Sequence, residues 1–379
     1  MKIAAFGVEQ WMNEYETRCQ FNLAETCVES ITFGELLALT GVASGVMADL
    51  AGVKMTYGAI AGSDRLRTAI ASLYARQTPA NILVTHGAIG ANALLYATLV
   101  EPGDRVVSVF PTYQQHHSIP EAYGADLQRL PLREANGYLP DLDELRRLVT
   151  PNTTIIAINN PNNPTGALMD EAMLTGIADI GRSCGAYVLC DEAYRGTDQH
   201  GDGFTASVSD LYERGISTAS MSKTYSLAGL RLGWIAAPQD VLRRVEVHRD
   251  YTTISVGVLD DYFAALALEQ RAPLLARNHA ILRENLAVLE TWITRQPGVS
   301  WVKPRSSCTA LVKYDVALPS RDFCVQLLEQ HGVLFTPGSV MGVEGHVRIG
   351  FANNRAALDA GLARTSIFID QLRATRGSH

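Results

Sequence analysis

Apolar positions between residues 62 and 238 fall into two alternating rhythms. In GSDRLRTAIASLYARQ (62–77) they recur at spacings of three and four, which predicts an amphipathic helix. Short β-branched runs follow at ILVTH (82–86), RVVSVF (105–110), TTIIAINN (153–160), AYVLCD (186–191), STASMS (217–222) and RLGWIAAP (231–238). Helix-like stretches such as DLDELRRLV and DEAMLTGIADIGRSCG separate several of them. Strands this apolar leave no polar face for water. They predict a mostly parallel sheet buried on both faces, with helical crossovers.

The rhythm changes after about residue 250. A helical pattern over 274–295 stops at Pro297-Gly298. Two strand-like pieces (VSWVKP and TALVKYD), a helix over 322–330, VRIGFA and a terminal helix then read as α+β. The fold class expected is therefore α/β: a three-layer large domain around a mostly parallel sheet, with a smaller α+β C-terminal domain. The boundaries expected are an N-terminal arm over 1–45 that packs with the small domain, a large domain over 46–270 and a small domain over 271–375. Residues 376–379 read as an appended tail foreign to the fold. No internal repeat or low-complexity segment interrupts the chain.

Composition narrows the function classes. The 379 residues suit two domains, and 47% hydrophobic against 19% charged excludes wholesale disorder. A net charge of −7, from 32 basic and 39 acidic residues, argues against nucleic-acid binding. No run of 18 apolar residues occurs, so no membrane span is expected. The start, MKIAAFGVEQW, has no signal-peptide pattern, and a cytoplasmic location is expected. Six cysteines without C-x-x-C spacing read as reduced, mostly buried thiols, with no metal site.

The residues that suggest chemistry sit just past predicted strands, where open α/β sheets bind ligands. TTIIAINN ends in Asn160-Pro161-Asn162-Asn163-Pro164-Thr165-Gly166, AYVLC runs into Asp191-Glu192-Ala193-Tyr194, and STASMS runs into Lys223 with Arg231 eight residues on. Taken singly, each has a structural explanation: a turn, a helix cap, a solvated loop or a surface charge.

In this order and spacing the set resembles the aspartate-aminotransferase superfamily, the fold type I pyridoxal-phosphate enzymes of aminotransferase class I/II. The resemblance begins at Tyr57-Gly58-Ala59-Ile60-Ala61-Gly62 and Leu66-Arg67-Thr68-Ala69-Ile70 and ends at Val347-Arg348-Ile349-Gly350-Phe351. It implies that 46–270 holds pyridoxal 5'-phosphate and that Lys223 is the Schiff-base lysine and proton carrier. Asp191 would pair with the ring nitrogen, Asn163 and Tyr194 with the ring oxygen, and Tyr113 would stack on the ring. The phosphate would meet Gly87, Ala88 and Ile89 at a helix start, Ser220, Ser222 and Arg231, and Tyr57 from a neighbouring subunit of a homodimer. Arg348 would clamp the substrate α-carboxylate as a bidentate fork. Related enzymes also place contacts from the partner subunit near Tyr251-Thr252-Thr253. His86 reads as a structural neighbour, and His116-His117 as a helix surface.

The resemblance implies an aminotransferase acting on an L-amino acid. The arm departs from the common pattern. Its Thr32-Phe33-Gly34-Glu35-Leu36, with Arg249-Asp250-Tyr251, resembles capreomycidine synthase, a branch that acts on hydroxyarginine by elimination and cyclisation. Glu14, Glu16, Glu25, Glu29 and Glu35 crowd this arm, and Glu25 is the candidate partner for a cationic substrate side chain. The alternatives are thus a lyase or cyclase on an arginine-like substrate and, from another class, a regulatory binding module that borrows the fold.

Overall fold

The computed structural model describes residues 2–376; of the four tail residues, 377–379 lie outside the described residues. Among the described residues, thirteen strands occur in chain order: β1 (Phe21–Asn22), β2 (Ile82–Thr85), β3 (Arg105–Phe110), β4 (Asp126–Pro131), β5 (Thr153–Asn159), β6 (Tyr187–Asp191), β7 (Gly215–Ser220), β8 (Gly233–Ala236), β9 (Val299–Trp301), β10 (Thr309–Tyr314), β11 (Val333–Leu334), β12 (Thr336–Pro337) and β13 (His346–Gly350). Seven form one sheet in the order β2-β8-β7-β6-β5-β3-β4, in which β8 alone runs antiparallel to its neighbours.

The central strands are apolar throughout because both faces are covered. Along β5, Ile156 and Ile158 pack with Leu174 and Ile177 of helix Glu171–Cys184, whereas Ile155 and Ala157 pack with Leu94, Leu95 and Val241 on the other side. Alternation along a strand thus sends successive side chains into two cores, and three layers result. Local signals set the helix ends. Asp170 accepts the Met173 N–H at one end of Glu171–Cys184, and Gly185 turns left-handed at the other.

Two elements depart from the sequence reading. The helix expected over 62–77 stops at Ala71. Tyr74 turns inward, where its hydroxyl accepts from Trp234 Nε1 at 2.8 Å, and the Ala75 and Arg76 N–H groups donate to the Asp210 carboxylate. Tertiary hydrogen bonds override the local pattern there. Strand β4 was not anticipated. It pairs only with β3 at the sheet edge, so its sequence DLQRLP carries polar residues a central strand would exclude.

The C-terminal block holds the four-stranded sheet β12-β13-β10-β9. The N-terminal segment packs on it: β1 pairs with β11, and Trp11 Nε1 donates to the Phe335 carbonyl at 2.9 Å. Trp11, Leu23 and Val28 share one core with Phe323, Phe335, Phe351 and Phe368. The segment after β1 is held to β13 closely enough that a Cβ on Gly350 would lie 1.7 Å from the Glu25 carbonyl oxygen. No single helix among the described residues is long and apolar enough to cross a membrane.

Candidate active site

A cavity of about 420 Å³ opens between the sheet and the C-terminal block. Strand ends supply its floor. From β2 comes the start of helix Gly87–Leu99, from β5 the Asn159–Asn163 turn, from β6 Asp191 and Tyr194, and from β7 Ser220, Ser222 and Lys223. Arg348 on β13 and Glu25 on the N-terminal segment form the roof.

Asp191 sits deepest. Its Oδ2 accepts from Asn92 Nδ2 at 2.8 Å and pairs with His116 Nε2 at 3.3 Å, and its Oδ1 accepts the Ala193 N–H. Burial works against ionisation. The hydrogen bond and charge of His116, with the Asn92 and Ala193 donors, outweigh it and hold the carboxyl below its usual range. Tyr96 meets His116 Nδ1 at 2.8 Å, and Thr218 Oγ1 donates to Asn92 Oδ1. The expectation that His116-His117 lies on a helix surface is overturned for His116, which is fully buried in this relay.

Helix Gly87–Leu99 begins with no side-chain cap, so its first N–H groups face the cavity. Arg231 lies beside it: a Cβ on Gly87 would come within 3.5 Å of the guanidinium Nη2. Arg231 adopts a left-handed φ of 48°, costly for a non-glycine residue and common where function fixes a side chain. Ser220 Oγ accepts the Ser222 N–H. Tyr113 is partly buried on the wall and donates to Glu9 Oε1 at 3.3 Å.

Arg348 is 3% exposed, and its partners are all neutral: Asn163 Oδ1 at 3.2 Å, Thr336 Oγ1 at 3.1 Å and the Ala24 carbonyl at 3.4 Å. Its Nε has no partner. Burial lowers its pKa without neutralising it. The Tyr194 hydroxyl is likewise buried with no hydrogen bond of good geometry. Burial raises its pKa against the Lys223 and Arg348 charges and the Thr26 hydroxyl.

Lys223 Nζ donates to Thr26 Oγ1 at 2.7 Å and to Cys27 Sγ at 3.4 Å. Burial would lower the amine, but Cys27, Tyr194 and Glu25 together push it above its usual value. Burial would raise the Glu25 carboxyl, but the Lys223 charge, the Cys27 thiol and the Thr26 and Cys27 N–H groups leave it below the usual range.

Of the residues assigned to cofactor or α-carboxylate by the resemblance, together with Glu25, the cavity gathers all but Tyr57, which is 79% exposed and does not line it. Tyr251, 91% exposed, also lies outside. The five arm glutamates separate. Glu14 pairs with Arg321, Glu29 with Arg277 and Asn354, and Glu35 closes a helix cap on Thr32, while Glu16 and Glu25 reach the cavity. Glu9 joins them. Sequence reasoning missed Glu9, Thr26, Asn92 and His116. Asn92 had a signal, as the lone polar side chain between Gly87 and Leu95 in an apolar helix start.

The profile of the family aminotransferase class I and II matches residues 44–364. Capreomycidine synthase of Streptomyces vinaceus is 35% identical over 96% of this chain and 93% of its own. A PLP-dependent aminotransferase from Streptococcus suis superposes with a TM-score of 0.95 at 43% identity, covering 98% of this chain and 99% of its own. The PLP-dependent cyclase OrfR superposes at 0.91 and 29% identity, covering 98% of each chain.

The cavity fits pyridoxal phosphate on its own features. An uncapped helix start beside Arg231 suits a phosphate, an ionised carboxylate at the floor suits a protonated ring nitrogen, and the orphaned Tyr194 hydroxyl suits a ring oxygen. His116→Phe removes the group that most favours the Asp191 carboxylate. Asp191 should then take up its proton at higher pH, moving the acid limb of cofactor binding upward. Titrating the cofactor absorbance against pH checks this, and an unmoved limb would contradict the role of His116.

Proposed function

Because the chain belongs to the class I and II aminotransferases, enzymes that use pyridoxal phosphate on amino acids, we propose that it moves the amino group of an L-amino acid with Lys223 as the cofactor-bearing, proton-carrying residue. The observation that carries the reading is the gathering of opposite chemical ends in one cavity: the Lys223 amine, an ionised Asp191 and a buried Arg348 cation whose partners are neutral. When bound, the cofactor supplies an aldehyde that condenses with amines and a ring that draws electrons from Cα.

Each residue then has a definite task. The Gly87, Ala88 and Ile89 N–H groups, the Ser220 and Ser222 hydroxyls and Arg231 hold the phosphate. Asp191, kept ionised by Asn92 and His116, retains a proton on the ring nitrogen. Asn163 and the Tyr194 hydroxyl would hold the ring oxygen, and Tyr113 would supply an aromatic wall for the ring. Arg348 takes the substrate carboxylate in a two-pronged grip, which fixes the direction of the Cα–H bond. Lys223 Nζ accepts the proton from Cα and returns it.

A second reading rests on the acidic side chains of the cavity. Glu9, Glu16 and Glu25 all line it. Burial, and then the Glu25 and Glu9 charges, raise the Glu16 carboxyl, as expected where carboxylates wait for a cation. We infer that an arginine-like side chain fits there, and that elimination with cyclisation is the competing chemistry, as in the similar synthase and cyclase. A homodimer supports Tyr57. Met55, Tyr57, Tyr251 and Ile254 are exposed on loops that meet where a Cβ on Gly58 would touch the Val256 carbonyl, Leu259 is exposed at the start of the following helix, and a second copy covers such a surface. Six unpaired thiols suit a reducing, cytoplasmic setting.

Lys223→Ala is expected to lower turnover at least about 10²-fold and to abolish borohydride-reducible cofactor, measured by mass spectrometry. With parent enzyme and no acceptor, an aminotransferase releases one equivalent of 2-oxo acid per subunit and stops. Continuous conversion to a cyclic amino acid would instead establish the second reading. Replacing Glu9, Glu16 and Glu25 by Gln should raise KM for arginine-like substrates about tenfold and spare neutral ones; equal effects on both would remove the cationic-substrate reading. Sedimentation velocity should give a dimer, and a monomer at assay concentration would exclude the role of Tyr57.

A further inference from the structure

Four consecutive residues, Ala24–Thr26 and Cys27, touch both chemical ends of the cavity. Ala24 gives its carbonyl to Arg348, and Thr26 and Cys27 take the Lys223 amine. This strap is held firmly. Asn22 Oδ1 accepts the Ala24 and Glu25 N–H groups at 3.0 and 3.2 Å. Glu25 Oε1 accepts those of Thr26 and Cys27 at 2.8 and 3.0 Å. The Gly350 N–H donates to the Leu23 carbonyl at 2.7 Å, and the Glu29 N–H to that of Ala352 at 2.8 Å.

A lysine amine has a long, flexible stem, and proton transfer demands a fixed one. We propose that Thr26 is a positioning residue for the proton carried by Lys223, with Cys27 assisting. Two N–H groups are directed at the Thr26 hydroxyl and the Cys27 sulfur, which leaves one position on nitrogen. In the neutral amine that position is the lone pair, and in the ammonium it is the remaining N–H. The proton leaving Cα joins the lone pair, its electron pair staying with the substrate. The returning proton leaves from the same position. The hydroxyl matters more than the sulfur, because its hydrogen bond is the shorter and the stronger. Through Ala24 the same strap ties the placement of the amine to the residue that grips the carboxylate.

The inference rests on Lys223 being the proton carrier, and the test separates the two. Exchange of the Cα proton of a substrate amino acid with deuterated solvent is followed by NMR in Thr26→Val, Thr26→Ser and Lys223→Ala. In the cofactor-free full chain, acylation of Lys223 by acetic anhydride is mapped against pH. Thr26→Val should slow exchange about 10- to 100-fold with KM unchanged within about twofold, and should shift the acylation profile. Thr26→Ser should restore both. Parent-like exchange and acylation in Thr26→Val, or failure of Thr26→Ser to restore them in a folded protein, overturns the role of Thr26 and leaves Lys223 standing. Parent-like exchange in Lys223→Ala overturns the proton carrier itself.

Discussion

A buried guanidinium without a carboxylate of its own is the constraint around which the roof of the cavity is built. Taking such a charge from water costs several kcal/mol unless polar groups replace the solvent. Around Arg348 the replacements come from three places: Asn163 from the turn after β5, Thr336 from β12 and the Ala24 carbonyl from the N-terminal segment. None of these neutralises it. The charge is solvated by dipoles and left available, so a carboxylate entering the cavity gains the ion pair that the chain withholds from itself.

The same separation of charge organises the rest of the site. Asp191 is ionised at the floor by His116 and Asn92, Lys223 is held by Thr26 and Cys27, and Glu9, Glu16 and Glu25 line the same cavity. An amino acid with a cationic side chain would meet complementary charge for both its carboxylate and its side chain. Low local polarity strengthens each contact, since the groups act through protein and not through bulk water.

The fold was legible in the sequence wherever burial was two-sided. Strands β3 and β5 announce themselves because every residue in RVVSVF and TTIIAIN must be tolerated by a core. Edge strand β4 did not, since half of it faces water, and the helix expected to run to residue 77 was cut short by bonds to Asp210 and Trp234 that no local pattern encodes. The lining of the cavity floor was legible because its residues sit at fixed offsets from strand ends. The groups that tune those residues were not. His116 reads as an ordinary helical histidine until Asp191 is placed beside it, and Thr26 lies 197 positions from the lysine it contacts.

The pairing of β1 with β11, and of Ala24 with Arg348, joins residues more than 300 positions apart. During synthesis the strap leaves the ribosome more than 300 residues before its partners. The large sheet has no such dependence, because it is complete once β8, which pairs with β2, has emerged. The floor of the cavity can therefore assemble while the chain is still being made, yet its roof closes only after Arg348 has emerged. That closure spans more than 300 residues, so the entropy of bringing its ends together weighs on the roof and not on the floor.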